Sequence, residues 1–158
     1  GGVATDPCHP DFRVRAFAIA WEPGEGACFD LMGMEARKAE ARQELAPVFA
    51  SSAEKWGFNG GFDEDGLVYA GWVPEVRNRA GDGMLALIAL GDGRQAGHSL
   101  ERGIVDVLGE PYHWDGAEKS RMRELPFLQV AEGCVRDAAA TYRLCAALHN
   151  RLAQGDYL

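Results

Sequence analysis

The chain contains no Cys-x-x-Cys pair and no His-x-x-x-His pair. Its four cysteines, Cys8, Cys28, Cys134 and Cys145, are scattered at spacings that match no zinc site. That argues against structural zinc and against a disulfide framework. The thiols are expected to be reduced, acting as small apolar residues in a cytoplasmic protein. Positive charge is also short: Lys and Arg number 16 against 24 Asp and Glu, for a net charge of −8 and a pI near 5.0. A protein that coats nucleic acid with a basic surface is therefore not expected. An acidic balance leaves room for a nuclease, because metal-binding carboxylates add negative charge locally and the bound cation restores attraction for phosphate. No apolar run is long enough to span a membrane and no signal-peptide pattern is present, so no membrane partner is expected. Ser51, Ser52 and Ser99 lie outside any Gly-x-Ser-x-Gly elbow, and no glycine run ends in Lys-Ser or Lys-Thr. His9, His98, His113 and His149 are dispersed, and none is read as a metal ligand. There are no internal repeats and no linker, so residues 1–158 are read as a single domain.

What is present is a core-forming composition, with 47% apolar and 25% charged residues. The sequence starts at Gly1-Gly2 and lacks an initial Met. Val14 to Trp21 reads as a strand, Glu22-Pro23-Gly24-Glu25-Gly26 as a turn, and Ala27 to Leu31 as the second strand of a hairpin. Met34 to Ala50 reads as a helix, with Leu45, Val48 and Phe49 on its apolar side. Lys55 to Phe58 is a short buried strand. Phe62 to Trp72 is a helix with Phe62, Leu67, Val68 and Tyr69 inward, ended by Pro74. Asp82 to Leu90 is a helix capped by Asp82 and broken at Gly91-Asp92-Gly93. Ser99 is expected to cap the next helix, which Leu108-Gly109 closes. Glu110 to Leu125 reads as a polar loop or short helix. Tyr112 and Trp114 on it either stack on a base or pin the loop to the core. Leu128 to Leu152 is a long helix or a kinked pair, with Gly133 a kink or the true start. Val135, Ala138, Ala139, Tyr142, Leu144 and Cys145 form its expected apolar side. Hairpin, helix, short strand and helices in that order predict an α/β fold, a mixed β-sheet packed by α-helices. A further strand before Val14 would complete the sheet's centre.

Two segments carry chemistry. Asn59-Gly60-Gly61-Phe62-Asp63 places an amide, two glycines, an aromatic and a carboxylate at a helix start. Asp137, in Arg136-Asp137-Ala138-Ala139, is read as opening the late Ala-rich helix. The positive end of a helix dipole favours a carboxylate at such a start. Carboxylates from separate helices can hold divalent metal against a phosphate, and Mg²⁺ prefers such oxygen ligands. In two-metal phosphodiester hydrolysis one ion generates the hydroxide and the other stabilises the leaving oxygen.

The Asn-x-x-Phe-Asp pattern resembles the second motif of the DEDD 3′–5′ exonucleases, the proofreading domains of family A DNA polymerases and the RNase D-like group on an RNase H-like fold. Asp82-Gly83-Met84-Leu85-Ala86, His98-Ser99-Leu100 and Val107-Leu108-Gly109 resemble the segments that follow, and Cys134-Val135-Arg136-Asp137-Ala138 falls where the third motif belongs. The order agrees from Val14 to Leu152. The resemblance implies an RNase H-like sheet, Mg²⁺ or Mn²⁺ as cofactor, and single-stranded DNA ends as substrate, with RNA as the RNase D-like variant. A DNA polymerase domain or subunit is the implied partner. It makes Asp63 and Asp137 the catalytic metal ligands, Asn59 and Phe62 the supports near the terminal nucleotide, and Asp82 structural.

The sequence departs from that family at two places. The first motif, Asp-x-Glu on the opening strand, has no counterpart, and Asp6-Pro7 aligns with residues that follow it. The third motif normally has Tyr four residues before its Asp or His five before; here those positions hold Gly133 and Glu132. The water-orienting group is therefore missing from its usual place. Two readings follow: a metal-dependent 3′–5′ exonuclease whose first strand lies outside the sequence, or a catalytically inactive exonuclease-like domain that serves as a binding or scaffold module.

Overall fold

The computed structural model describes residues 6–91, 98–114, 118 and 121–155. Strand β1 (Phe17–Glu22) and strand β2 (Glu25–Phe29) form the expected antiparallel hairpin, from Phe17 opposite Phe29 to Glu22 opposite Glu25 across Pro23-Gly24. Pairing begins three residues later than the apolar run. Residues 14–16 make no ladder, because Arg15 turns to other work: its carbonyl accepts from Met32 N, and its guanidinium donates to the carbonyls of Met122 and Leu125.

A 3₁₀ turn (Glu35–Arg37) leads into helix α1 (Lys38–Ala50). Leu45 and Phe49, four apart on one face, are buried, while Val48 stays 48% exposed, against expectation. Strand β3 (Lys55–Gly57), helix α2 (Gly60–Tyr69) and strand β4 (Arg79–Asp82) form a unit whose two strands pair in parallel. Strand β4 carries almost no apolar signal. It pairs because Gly81 has no side chain where the Trp56 ring lies against it. Within α2 the expected inner face is only partly right: Leu67 is buried, whereas Phe62 and Tyr69 are exposed.

Helix α3 (Gly83–Leu90) starts one residue after Asp82, as expected. Ser99 Oγ accepts from Arg102 N at 3.2 Å and caps helix α4 (Leu100–Gly103). That helix runs on as a π-helical turn (Ile104–Leu108), and Gly109 stops it in the left-handed conformation at φ 69°. The expected break beyond Gly91 falls on residues 92–97, which lie outside the described residues. Helix α5 (Phe127–Gln154) runs for 28 residues. It passes through Gly133 without interruption, so Gly133 is neither a start nor a kink. Of the expected inner face, Leu144 and Cys145 are buried, beside Val130, Ala140 and Leu148, whereas Tyr142 is exposed.

The fold is α/β, but among the described residues the strands form two two-stranded sheets rather than one. Helix α5 packs on β1, β2, β3 and α3 and so ties the two together. One core lies between the hairpin, α1 and α2, with Leu31, Leu45, Phe49, Leu67, Trp72 and Val73. A second joins α3 to the C-terminal half of α5 through Ala86, Leu87, Leu90, Leu144 and Leu148. Among the described residues no helix is long and apolar enough to cross a membrane.

Candidate active-site cleft

The β3–α2 junction is held by Asp82. Its Oδ1 accepts from Asn59 N at 3.1 Å and from Met84 N at 2.9 Å, with Leu85 N at 3.3 Å, and its Oδ2 accepts from Gly60 N at 2.7 Å. One carboxylate thus satisfies the orphan N–H groups of two helix starts, α2 and α3. The sequence assigns Asp82 to α3 alone, because a link across 22 residues leaves no local trace. Asn59 enters α2 in the left-handed conformation at φ 59°, where Asn is among the few tolerated side chains. Its side chain makes no capping hydrogen bond and faces solvent. Asn59 therefore shapes the turn through its backbone.

Asp63 lies in the first turn of α2, as expected. It borders a cleft of about 260 Å³ that Phe12, Arg15, Phe17, Phe62 and Cys134 also line. Phe62 is 42% exposed and meets Phe12 edge-to-face at 6.1 Å. Asp63 keeps over a third of its surface open, yet the protein mass around it withdraws enough water to raise its carboxyl to about 6, with Asp82 repelling it as the second cause. Asp63 takes up a proton more readily than an ordinary surface aspartate.

Asp137 does not open a helix. It lies well inside α5, which begins at Phe127, so the helix dipole does not hold its charge. Side chains from the loop before α5 hold it instead. Trp114 Nε1 donates to Oδ2 at 3.1 Å, and His113 Nε2 stands 3.5 Å from Oδ1. The Tyr112 hydroxyl also donates to it, and burial together with the adjacent carboxylate pushes that phenol up. His113 Nε2 lies 3.1 Å from the Gly133 carbonyl, which favours the tautomer with its proton on Nε2. Trp114 is 8% exposed and lies against Gly133, where any Cβ would fall inside the indole. The two openings left by the sequence close together: Trp114 pins the loop to the core, and Gly133 is glycine because the indole occupies that space. Convergence of three consecutive loop residues on Asp137 was not legible, since no spacing rule links a loop to a helix more than twenty positions away.

Asp63 and Asp137 are on different elements with different partners, and only Asp63 lines the cleft. Cys134, one turn before Asp137 on the same helix face, lines the cleft beside Asp63. Asp82 is the charged group felt at Asp63, and the Asp137 charge reaches as far as Cys134. No group of three or more His, Cys, Asp or Glu positioned to hold a metal ion occurs among the described residues. Two carboxylates, one of them already hydrogen-bonded by an indole and a phenol, do not by themselves fit Mg²⁺ or Mn²⁺. Glu132 is exposed and pairs with Arg136, so it adds no ligand. Compared with known families, with curated proteins and with solved structures, the chain finds no match.

Proposed function

We propose that the chain is a 3′–5′ exonuclease domain of the proofreading type on an RNase H-like fold, carrying the second and third motifs of its site and acting on single-stranded DNA ends. The observation that supports this reading is the cleft that Asp63 borders from the first turn of α2; Asp137 does not line it, but Cys134, one turn earlier on α5, does. The hairpin, the β3–α2–β4 unit and the long helix that packs on both support this reading at the level of an α/β fold. Among the described residues β1 pairs only with β2, and β3 only with β4. One strand paired to both would join them into a single mixed sheet and bring the Asp-x-Glu carboxylates to the cleft. Mg²⁺ or Mn²⁺ belongs to that completed site. A DNA polymerase domain or subunit is the partner this reading implies, with RNA as the alternative substrate and the cytoplasm as the setting, where free thiols persist.

A second reading, an exonuclease-like module without hydrolysis that binds a partner, is favoured by one observation. Asp137 is taken up by Tyr112, His113 and Trp114, and the residue four before it is a glycine filled by an indole. The test is degradation of 5′-labelled single-stranded DNA, and RNA in parallel, with Mg²⁺ or Mn²⁺. Asp63→Asn and Asp137→Asn are run alongside, their folding checked by circular dichroism. Stepwise shortening from the 3′ end, lost in both folded variants, supports the exonuclease. Intact substrate with either metal supports the module.

A further inference from the structure

Of the three asparagines, only Asn59 is followed by glycine; Asn78 and Asn150 precede arginine. A glycine nitrogen can attack the side-chain amide before it, because no Cβ shields that nitrogen. The Asn59 side chain is exposed and makes no capping hydrogen bond, so its amide is open to such an attack. Two features of the fold prevent it. Asn59 is held at φ 59° and ψ 40°, which turns the Gly60 nitrogen to the far side of the Cα–C bond from Cβ, whereas a ring closes only with both on one side. The peptide is also fastened in that orientation: Gly60 N donates to Asp82 Oδ2 at 2.7 Å and Asn59 N to Oδ1 at 3.1 Å. It cannot turn without breaking the junction that joins α2 to α3. We propose that Asn59-Gly60 is a latent self-modification site, restrained by Asp82, that converts to aspartate or isoaspartate when the β3–α2 junction opens. This inference does not depend on the exonuclease reading.

The co-reactant is water. In the open junction the Gly60 nitrogen gives up its proton and bonds to Asn59 Cγ. The Cγ–NH₂ bond breaks, ammonia leaves with that proton, and a succinimide ring remains. Water then opens the ring. Breaking the Cγ–N bond gives aspartate, and breaking the bond from the backbone carbonyl carbon to nitrogen gives isoaspartate. Water has entered, ammonia has left and nothing is oxidised or reduced. Hydroxide speeds the first step by removing the amide proton, so the rate rises with pH. Isoaspartate routes the main chain through Cβ and lengthens it by one carbon where Asn59 enters α2, so the pair of bonds to Asp82 cannot re-form as before. Aspartate adds a negative charge to the residue whose backbone Asp82 holds. Either product makes the opening one-way.

The experiment incubates the full chain in mildly alkaline buffer, folded and in guanidinium chloride, and follows conversion of amide to acid at each asparagine by peptide mass spectrometry. Asn59 in the folded chain should convert slower than in guanidinium by on the order of tenfold or more, since reaction there waits on local opening. Asp82→Ala, checked as folded by circular dichroism, should recover most of that difference, and Asp82→Asn less of it, because its amide oxygen still accepts. Asn78 and Asn150 serve as internal controls that stay slow in every sample. Conversion of Asn59 as fast in the folded chain as in guanidinium overturns the proposal. So does a folded Asp82→Ala that leaves the rate unchanged, or an Asn59 that fails to outpace Asn78 and Asn150 in guanidinium. Where Asp82→Ala does not fold, the wild-type comparison and Asp82→Asn decide the matter.

Discussion

Gly133→Ala separates a packing role from an ordinary helix glycine, because the two roles give effects of opposite sign. In a solvent-facing helix interior, replacing Gly by Ala stabilises by about 1 kcal/mol. Here the new Cβ would fall within the Trp114 indole, which is 8% exposed. Displacing a buried aromatic costs up to about 3–5 kcal/mol. Losing the indole N–H bond to Asp137 adds about 1–3 kcal/mol, since the acceptor is charged and partly buried. Loop relaxation recovers some of this, and the helix gain offsets about 1 kcal/mol more. The net expectation is a loss of about 2–4 kcal/mol, or a fall in Tm of about 5–15 °C for a chain this long. Thermal unfolding by far-UV circular dichroism and by tryptophan fluorescence measures it. The sharper form is a double-mutant cycle: on a Trp114→Ala background the indole is gone, and Gly133→Ala should then stabilise by about 1 kcal/mol. A neutral or stabilising effect of Gly133→Ala in the wild-type background would refute the packing argument. Gly133→Tyr, which writes in the Tyr that the third motif of the resembled family carries four residues before its Asp, is expected to be worse still.

Asp82→Ala removes an acceptor from four backbone N–H groups at two helix starts and should cost about 2–4 kcal/mol in urea unfolding. Asp82→Asn should cost about half, because its amide oxygen still accepts; a loss under about 1 kcal/mol for the alanine variant would contradict the double cap. Asp63 has a folded pKa near 6, above its unfolded value of about 3.9. The folded protein therefore holds the extra proton between those values, and stability falls as pH rises through that window. Asp63→Asn should narrow the loss of Tm between about pH 4 and 6; solvent around the residue keeps the effect small, and a pH-independent difference between variant and wild type counts against the raised pKa. Mg²⁺ alone should leave Trp114 emission unchanged, because the indole keeps its bond to Asp137. A saturable change that vanishes in Trp114→Phe would mean that metal displaces the loop.

The sequence was informative wherever the determining interactions are local. The hairpin turn at Pro23-Gly24, the caps at Asp82 and Ser99 and the stop at Gly109 are each set within a few residues, and each lies where composition predicts it. It failed where distant partners decide. Strand β4, Arg79–Asp82, has no strand pattern and exists because β3 and the Trp56 ring take its backbone and its glycine. Val48 and Tyr142 match helical spacing, yet both are exposed, since spacing fixes a helix face but not what covers it. Gly133 is the clearest case. A glycine in a helical pattern signals a break when only neighbours are considered, and here the cause is an indole that the chain delivers from nineteen residues earlier.

The two candidate aspartates show why motif spacing alone does not assign chemistry. Asp63 is in a first turn, where backbone N–H groups favour its charge, but crowding and Asp82 work against that charge. Asp137 has no helix end nearby, and three consecutive loop side chains replace it: an indole, an imidazole and a phenol. Recruiting Asp137 to a cation means giving up at least the indole and phenol bonds, at about 1–3 kcal/mol each for a charged acceptor. A lone divalent ion bound by two carboxylates and water offers little against that cost. A strand supplying two more carboxylates changes the balance, because each added anion raises cation affinity while the cost of freeing Asp137 stays fixed. On the exonuclease reading proposed above, hydrolysis would depend on such a strand, and release of the Tyr112–Trp114 loop from Asp137 is the step to which its pairing would couple.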